Sequence, residues 1–412
     1  MKIVLIKASA PSEFKEYKKT RGGPPQSIFS AAAATPDHHE LEMFDETIRA
    51  VKPGKIKADL VVLFFSTPDA IRSYELAQVF RDKGIQVIVA GLHATFMKNE
   101  AAQYADAVLT GESENVWLEI LADAEKRQLK PLYQGTQVDL ATINPYPTDL
   151  IHHSDYDGIW SVLVSRGCRH KCSFCLVPGM LGNTRYRPVQ DIVDEISQLD
   201  TDWLELHADN LTDNREYALQ LFKALEPLEI NWVGETTIKI ADDPELLEAA
   251  ARSGLRYLLI GIETPSKAAL KYSGKGFVKA ENIKEQIQRL HNYGIIVDSA
   301  AILGFDEHDT RIFRESAEFF DEVGVDVCVP VIMIPFPGSR VYEQLEKEGR
   351  ILTHDWSQYD GSHAVYEPKA MSARELEKGA DDFYYQFNSP GRYIKRKIRQ
   401  IGQLGVSSTF SI

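Results

Sequence analysis

Three of the four cysteines in the 412-residue chain fall within eight positions, Cys168, Cys172 and Cys175 in "SRGCRHKCSFC". Thiolates spaced C-x3-C-x2-C, in a glycine-bearing loop straight after a strand, can converge on one metal centre. Two centres suit them. A tetrahedral zinc site would take a fourth ligand, for which His170 and His207 are available. A four-iron cluster would have three irons held by protein and one left open. Zinc motifs usually come as paired C-x2-C units. No second pair exists here, and the remaining cysteine, Cys328, lies on a predicted strand and reads as packing. Unrelated buried cysteines have no reason to cluster in this way.

Carboxylates form a second set. Asp209, Glu235 and Glu263 each sit at or just past the end of a predicted strand, where they would ring one mouth of a sheet. A carboxylate in a dry barrel mouth can have its pKa raised toward neutrality. Glu235 is therefore the candidate catalytic residue, as a substrate contact or proton acceptor. Its plainer role is a hydrogen bond that braces the strand end.

The elements that must position these groups are α/β units, because apolar runs of four to eight residues alternate with helical patterns from end to end. In the first part, "KIVLI", "HELEMF", "ADLVVLFFS", "QVIVAGLHA" and "ADAVLTGE" read as buried strands, with helices over Asp69–Lys83 and Ser113–Arg127. This is the pattern of a doubly wound sheet, whose ligands bind at the carboxyl ends of the strands. Thr142 to Gly158, with two prolines and a polar run, reads as a linker. Six further strands follow: "IWSVLVS", "WLELHAD", "NWVGETT", "YLLIGIE", "VDSAAILGF" and "DVCVPVIMIP". Six units fall short of the eight that close a full barrel, so a partial (β/α)6 barrel is expected. Beyond Thr353 a mostly helical tail follows. Its run "RYIKRKIRQ", with Arg392, Lys395, Arg396, Lys397 and Arg399, reads as a solvated helix end. The expected division is 1–135, a linker at 136–158, a barrel at 159–350 and an extension at 351–412.

Composition excludes several classes. Hydrophobic residues make up 44% and charged residues 26%, the balance of a globular chain. A formal charge of -14 gives no electrostatic footprint for general nucleic-acid binding. The longest apolar run, "LVVLFF" at Leu60 to Phe65, is far short of the roughly 18 to 20 residues of a membrane span. "MKIVLIKASAP" has too short an apolar run for a signal-peptide core. The expected compartment is the cytoplasm, where thiols stay reduced and clustered cysteines serve as ligands.

"CRHKCSFC", with Phe174 before the last cysteine and a strand ahead of the loop, resembles the signature of the radical S-adenosylmethionine (radical SAM) enzymes. The resemblance implies a four-iron four-sulfur cluster on Cys168, Cys172 and Cys175, with S-adenosylmethionine chelating the open iron. Its reductive cleavage would release a 5'-deoxyadenosyl radical. "ELHADNLTDN" resembles the family segment after the second strand, which would put Asp209 and Asn210 near the amino group of S-adenosylmethionine. "LLIGIETPS" resembles the fourth-strand end, with Glu263 at the ribose. "AAILGF" resembles the fifth-strand glycine motif around Gly304, and Phe174 would lie beside the adenine.

"VIVAGLHATFMKNEAAQYADAVLTGESENVWLEIL" resembles the cobalamin-binding domain that precedes the barrel in one large class of these enzymes. Gly91 and Gly111, at strand ends, would let the backbone approach a flat, bulky cofactor, and Ser113 and Glu114 would open a helix beside it. His93 and Glu112 complete the candidate cofactor contacts. "RGGPPQSIF", from Gly22 to Phe29, looks like the loop that covers the corrin. The D-x-H-x-x-G motif that gives cobalt a histidine in many cobalamin proteins is absent, since "DHHELE" at Asp37 has the wrong spacing. The expected cobalamin therefore has no protein histidine on its metal. The plain alternative is a glycine-turn α/β domain with nothing bound.

"PFPGSRVYEQLEKEGRIL" and "YEPKAMSARELEKG" resemble the C-terminal part of the same class, which includes hopanoid and bacteriochlorophyll-related methylases and an anaerobic cyclase. The implied activity is cobalamin-dependent methyl transfer to an unactivated carbon of a small or lipid-like molecule. A reductant such as flavodoxin or ferredoxin would supply electrons. The alternatives are oxidative cyclisation, rearrangement, or a barrel with a vestigial cobalamin domain. Methylthiotransferases, which hold a second cluster on N-terminal cysteines, are argued against, because the first 167 residues contain no cysteine. His152, His153 and His170 read as loop histidines without a specific task.

Overall fold

The computed structural model describes residues 1–9, 24–150, 153–156 and 159–404. Two compact units divide it. The first comprises Met1–Ser161, Gly179–Tyr186 and Asp355–Tyr359, and the second Val162–Pro178, Arg187–His354 and Asp360–Ile412.

The first unit is built on six strands, β1 (Lys2–Lys7), β2 (Glu40–Asp45), β3 (Leu60–Phe64), β4 (Gln86–Ala90), β5 (Ala107–Thr110) and β6 (Leu132–Gln134). Their order is β2-β1-β3-β4-β5-β6, all parallel. The order reverses between β1 and β3, as in a doubly wound sheet. Every residue of β3 is buried, which explains its unbroken apolar run, whereas edge strand β2 carries Glu40 and Glu42. Strand β6 has three residues after a proline and no periodic signal, so it escapes notice in the sequence. Two expectations are corrected. Gln26–Phe29 form the first turn of helix Gln26–Ala33, with Ile28 and Phe29 in the core, and are not part of a loop. The rest of that proposed loop, through Gly23, lies outside the described residues, as does His152. The helix expected to start at Ser113 runs only over Trp117–Glu125, because Ser113 to Val116 form a turn.

The second unit carries β7 (Trp160–Leu163), β8 (Trp203–His207), β9 (Asn231–Thr236), β10 (Leu255–Ile260), β11 (Ile296–Leu303) and β12 (Val327–Ile332). Each strand lies beside its predecessor, and β8 to β12 are parallel, as in a partial barrel. Alternation sorts the side chains into two faces. Leu204, Leu206, Leu258, Ile260 and Val297 are fully buried under the helices. The register places Glu235, Leu259 and Asp298 together on the other face. Leu259 is 38% exposed although β10 is flanked on both sides, so this inner face lines open space.

The C-terminal tail is helical over Ala373–Phe387 and Pro390–Leu404, and Ser372 and Glu375 form a capping box. The solvated-end expectation fails for three of its basic residues. Arg396 is 4% exposed, donates to Phe387 O at 2.7 Å and lies over the Phe387 ring. Arg399 holds Asp326 at 2.7 Å, and Arg392 donates to Gln386 O at 3.2 Å. Amphipathic arginine stems here cover apolar surface while their heads close helix ends.

Candidate active site

The cysteine loop follows β7, and its backbone is fastened from three sides within the second unit. Gly167, with φ +91°, donates its N–H to the Asp209 carboxylate at 2.7 Å. Ser173 donates to Ser273 O at 3.0 Å and accepts from Val341 N at 3.1 Å. Arg340 reaches Lys171 O, and Arg169 pairs with Asp213. Loop thiols that must hold a metal at fixed separation need this bracing.

Cys168, Cys172 and Cys175 are free and partly exposed. Burial pushes all three thiols up, Cys175 to about 12, which a neutral pocket does to any group that would carry charge. Among the described residues, the group of three His, Cys, Asp or Glu ligand atoms lying within 4.8 Å of one another is His38, His39 and Glu125, not the three cysteines. Three thiols in one short braced loop are the number a four-iron cluster takes when it leaves one iron open. The possible fourth zinc ligands are otherwise engaged: His207 contacts Glu205 at 3.3 Å, and His170 stacks on Phe277 at 4.5 Å. Cys328 is buried on β12, as expected.

Asn210 is buried, donating to Asp213 at 3.1 Å and accepting from Thr236 at 2.8 Å, so its side chain organises the strand ends. Glu263 lies three residues past β10, where the chain kinks and rejoins β11 through Ile302 N–H to Glu263 O at 2.8 Å. Its φ is +70°, a left-handed conformation that costs a non-glycine residue about 1 to 2 kcal/mol. Its carboxylate is buried against Lys275, a residue that sequence reasoning missed. In sequence, Lys275 is one lysine among several in "KAALKYSGKG", and only the fold draws it inward. Phe174 is partly buried, 6.3 Å from Phe305 between ring centres. At Gly304, φ +95°, a Cβ would strike Tyr366 and Leu376, and Tyr366 Oη donates to Gly304 O at 2.6 Å. The glycine serves packing of the C-terminal segment.

On the inner face, Glu205, His207 and Glu235 form a titratable wall on β8 and β9. Burial, with Asp209 adding repulsion, pushes Glu235 up to about 7. Burial opposes a charged His207, but Glu205, Asp209 and Glu235 override it and raise the imidazole. Deeper in, Tyr257 donates to Asp298 at 2.5 Å, and burial pushes Asp298 up to about 6. Glu235 thus has the environment of a proton acceptor near neutral pH.

In the first unit, the strand-end glycines lie against neighbouring backbone. Gly91 has φ +105° and Gly111 φ +72°, and a Cβ would strike Phe65 O at the first and Gly135 O at the second. Close approach of the chain to itself requires both. Glu112 is also committed, buried against Arg185 and accepting from Val138 N at 3.2 Å. His93 is 1% exposed, with Thr67 3.3 Å from Nδ1 and Glu100 3.5 Å from Nε2. Trp356 lies edge-on to it at 5.0 Å.

Residues 162–320 match the model of the Radical SAM superfamily. Two curated relatives from Chlorobaculum tepidum are similar over most of the chain. Bacteriochlorophyllide d C-12(1)-methyltransferase is 25% identical, covering 85% of this chain and 80% of its own. Bacteriochlorophyllide d C-8(2)-methyltransferase is 28% identical, covering 83% and 82%. Among solved structures, the radical S-adenosylmethionine methyltransferase TsrM from Kitasatospora setae, with cobalamin and a [4Fe-4S] cluster bound, superposes with a TM-score of 0.68. It is 15% identical and covers 94% of this chain and 85% of that one.

Proposed function

We propose, for a chain whose residues 162–320 are a radical SAM domain, that it is a methyltransferase acting on an unactivated carbon. When bound, a four-iron four-sulfur cluster supplies the electron that cleaves S-adenosylmethionine to a 5'-deoxyadenosyl radical. Cys168, Cys172 and Cys175 would hold that cluster, and the observation that carries the reading is their place together in one loop braced by Asp209 and Ser273. Glu263 and Phe174 lie where the nucleoside of S-adenosylmethionine is received, and Asp209 and Asn210 keep the strand ends beside it in place.

The substrate occupies the inner face of the barrel. Glu235 accepts a hydrogen bond or a proton from it, while Leu259 and the strand β12 valines offer an apolar wall. Such a site suits a small, largely apolar molecule with a polar edge. The named activities of the relatives support methyl transfer over other outcomes of radical chemistry. A low-potential donor of the flavodoxin or ferredoxin type supplies electrons. Cobalamin is supported by the doubly wound order of the first unit and its fold likeness, with the carboxyl ends of the strands as its place. No step is assigned to Gly91, His93, Gly111 or Glu112.

Anaerobically reconstituted protein should carry about four irons per chain. Given the substrate, a methylase forms S-adenosylhomocysteine together with 5'-deoxyadenosine, and a cyclase forms no S-adenosylhomocysteine. Stoichiometric zinc without iron would sink the reading. Electron paramagnetic resonance of added cob(II)alamin should show no nitrogen splitting from a protein histidine, and splitting lost in His93→Ala would refute the assignment of His93 to the aromatic cluster.

A further inference from the structure

Lys275 follows Gly274, φ +82°, just beyond helix Lys267–Tyr272. Its side chain is 14% exposed, unlike that of Arg169 at 62%. The ammonium donates to the Glu263 carboxylate and to Gly261 O at 3.2 Å. Residue 261 must be glycine for this, because a Cβ would strike both the lysine Nζ and the glutamate Oε1. The same turn carries Ser273, whose carbonyl accepts the N–H of Ser173, inside the cysteine loop. The backbone that bears the cation is thereby tied to the backbone that bears the thiols. Gly274, the neighbour of Lys275, lies directly against the cysteine loop, where a Cβ would sit 3.1 Å from Lys171 O and 3.7 Å from Cys172 Cα. The charge of Lys275 also acts on Glu235 of β9, and a shielded cation is screened by salt far less than an exposed one.

We propose that Lys275 is a positioning residue with two tasks: it holds Glu263 in its left-handed conformation, and it is the fixed counter-charge that favours the reduced state of a cluster on Cys172 and Cys175. The step it assists is addition of one electron from a low-potential donor, which lowers the cluster charge by one and moves no proton. A cation buried beside the cluster stabilises the more negative state. The inference rests on the cluster reading above.

The test is a potentiometric titration of the reconstituted full chain without S-adenosylmethionine, using titanium(III) citrate as reductant and the reduced-cluster resonance as readout. At a fixed potential, Lys275→Met should lower the ratio of reduced to oxidised cluster at least about tenfold, or about 59 mV for one electron. Lys275→Arg should restore it to within about threefold of the parent. Glu263→Gln, which leaves the cation and removes its anion, should raise the ratio. Unchanged ratios, or a fall in both Lys275→Met and Glu263→Gln, would overturn the proposal. If Lys275→Met retains no iron, Glu263→Gln decides alone, and a fall or no change refutes. Absence of a four-iron cluster in the parent would instead refute the functional reading.

Discussion

The Asp209 carboxylate accepts the backbone N–H of Gly167 at 2.7 Å, one residue ahead of Cys168. Gly167 has φ +91°, so the loop turns sharply where this bond holds it. Hydrogen bonds to charged groups contribute about 1.5 to 3 kcal/mol, enough for a tenfold change in occupancy of a loop conformation. Asp209→Ala should therefore lose iron on gel filtration and form 5'-deoxyadenosine at least about tenfold more slowly. Asp209→Asn keeps an acceptor oxygen and should retain more iron than the alanine variant. Equal iron in all three proteins would show that the bond does not brace the loop.

Cys168→Ala, Cys172→Ala and Cys175→Ala should each abolish the four-iron cluster and cleavage of S-adenosylmethionine. Cys328→Ala should keep both, because Cys328 is buried on β12 as packing. Its cost is confined to stability, about 1 kcal/mol for a small buried side chain. Iron content of the four purified proteins checks the contrast. Loss of iron in Cys328→Ala with an unaltered circular dichroism spectrum would contradict it.

The basic tail gives a contrast of another kind. Arg396 is buried, donates to Phe387 O and Asn388, and covers the Phe387 ring, whereas the adjacent Lys395 is exposed. Arg396→Ala should destabilise the second unit by about 2 to 3 kcal/mol, since it orphans a helix-end carbonyl and uncovers an aromatic face. Lys395→Ala should lie within about 0.5 kcal/mol of the parent. Denaturant unfolding of both variants measures the difference, and equal effects would refute the packed-tail description.

The strand rhythm of both units was legible because parallel strands read as apolar runs, buried on both faces in Leu60–Phe64 and apolar even toward the open inner face in Leu255–Ile260. The cysteine loop was legible because clustering of three thiols has few other causes. What stayed hidden depends on contacts between distant segments. Lys275 differs from a surface lysine only through Gly261 and Glu263, and Gly304 is glycine because of Tyr366, 62 residues on. The strand-end glycines Gly91 and Gly111 stand out in the sequence, and a Cβ at either would strike the chain's own backbone. Charge patterning misread Arg396 and Arg399, because a basic run looks the same whether its heads are solvated or cap another helix.

Glu235 couples stability to pH. Burial and the Asp209 carboxylate push its pKa up from 4.5 to about 7, with Glu205 adding to the repulsion and His207 and Lys275 opposing it. A carboxyl whose pKa is higher in the folded chain than in the unfolded one favours folding while it is protonated. That contribution is fully present below pH 4.5 and is lost as pH rises through about 7. Glu235→Gln stays neutral throughout. Relative to this variant, the parent should therefore lose stability between about pH 5 and pH 8, on the order of 2 kcal/mol once solvent in the lumen is allowed for. Thermal unfolding of both reconstituted proteins across that range measures the gap, which should open with rising pH in favour of the glutamine variant. A second readout separates this from catalysis: with substrate, Glu235→Gln should slow product formation while iron content stays unchanged. A gap that is flat with pH would show Glu235 ionised at all of these values, and unchanged turnover would remove it from the site.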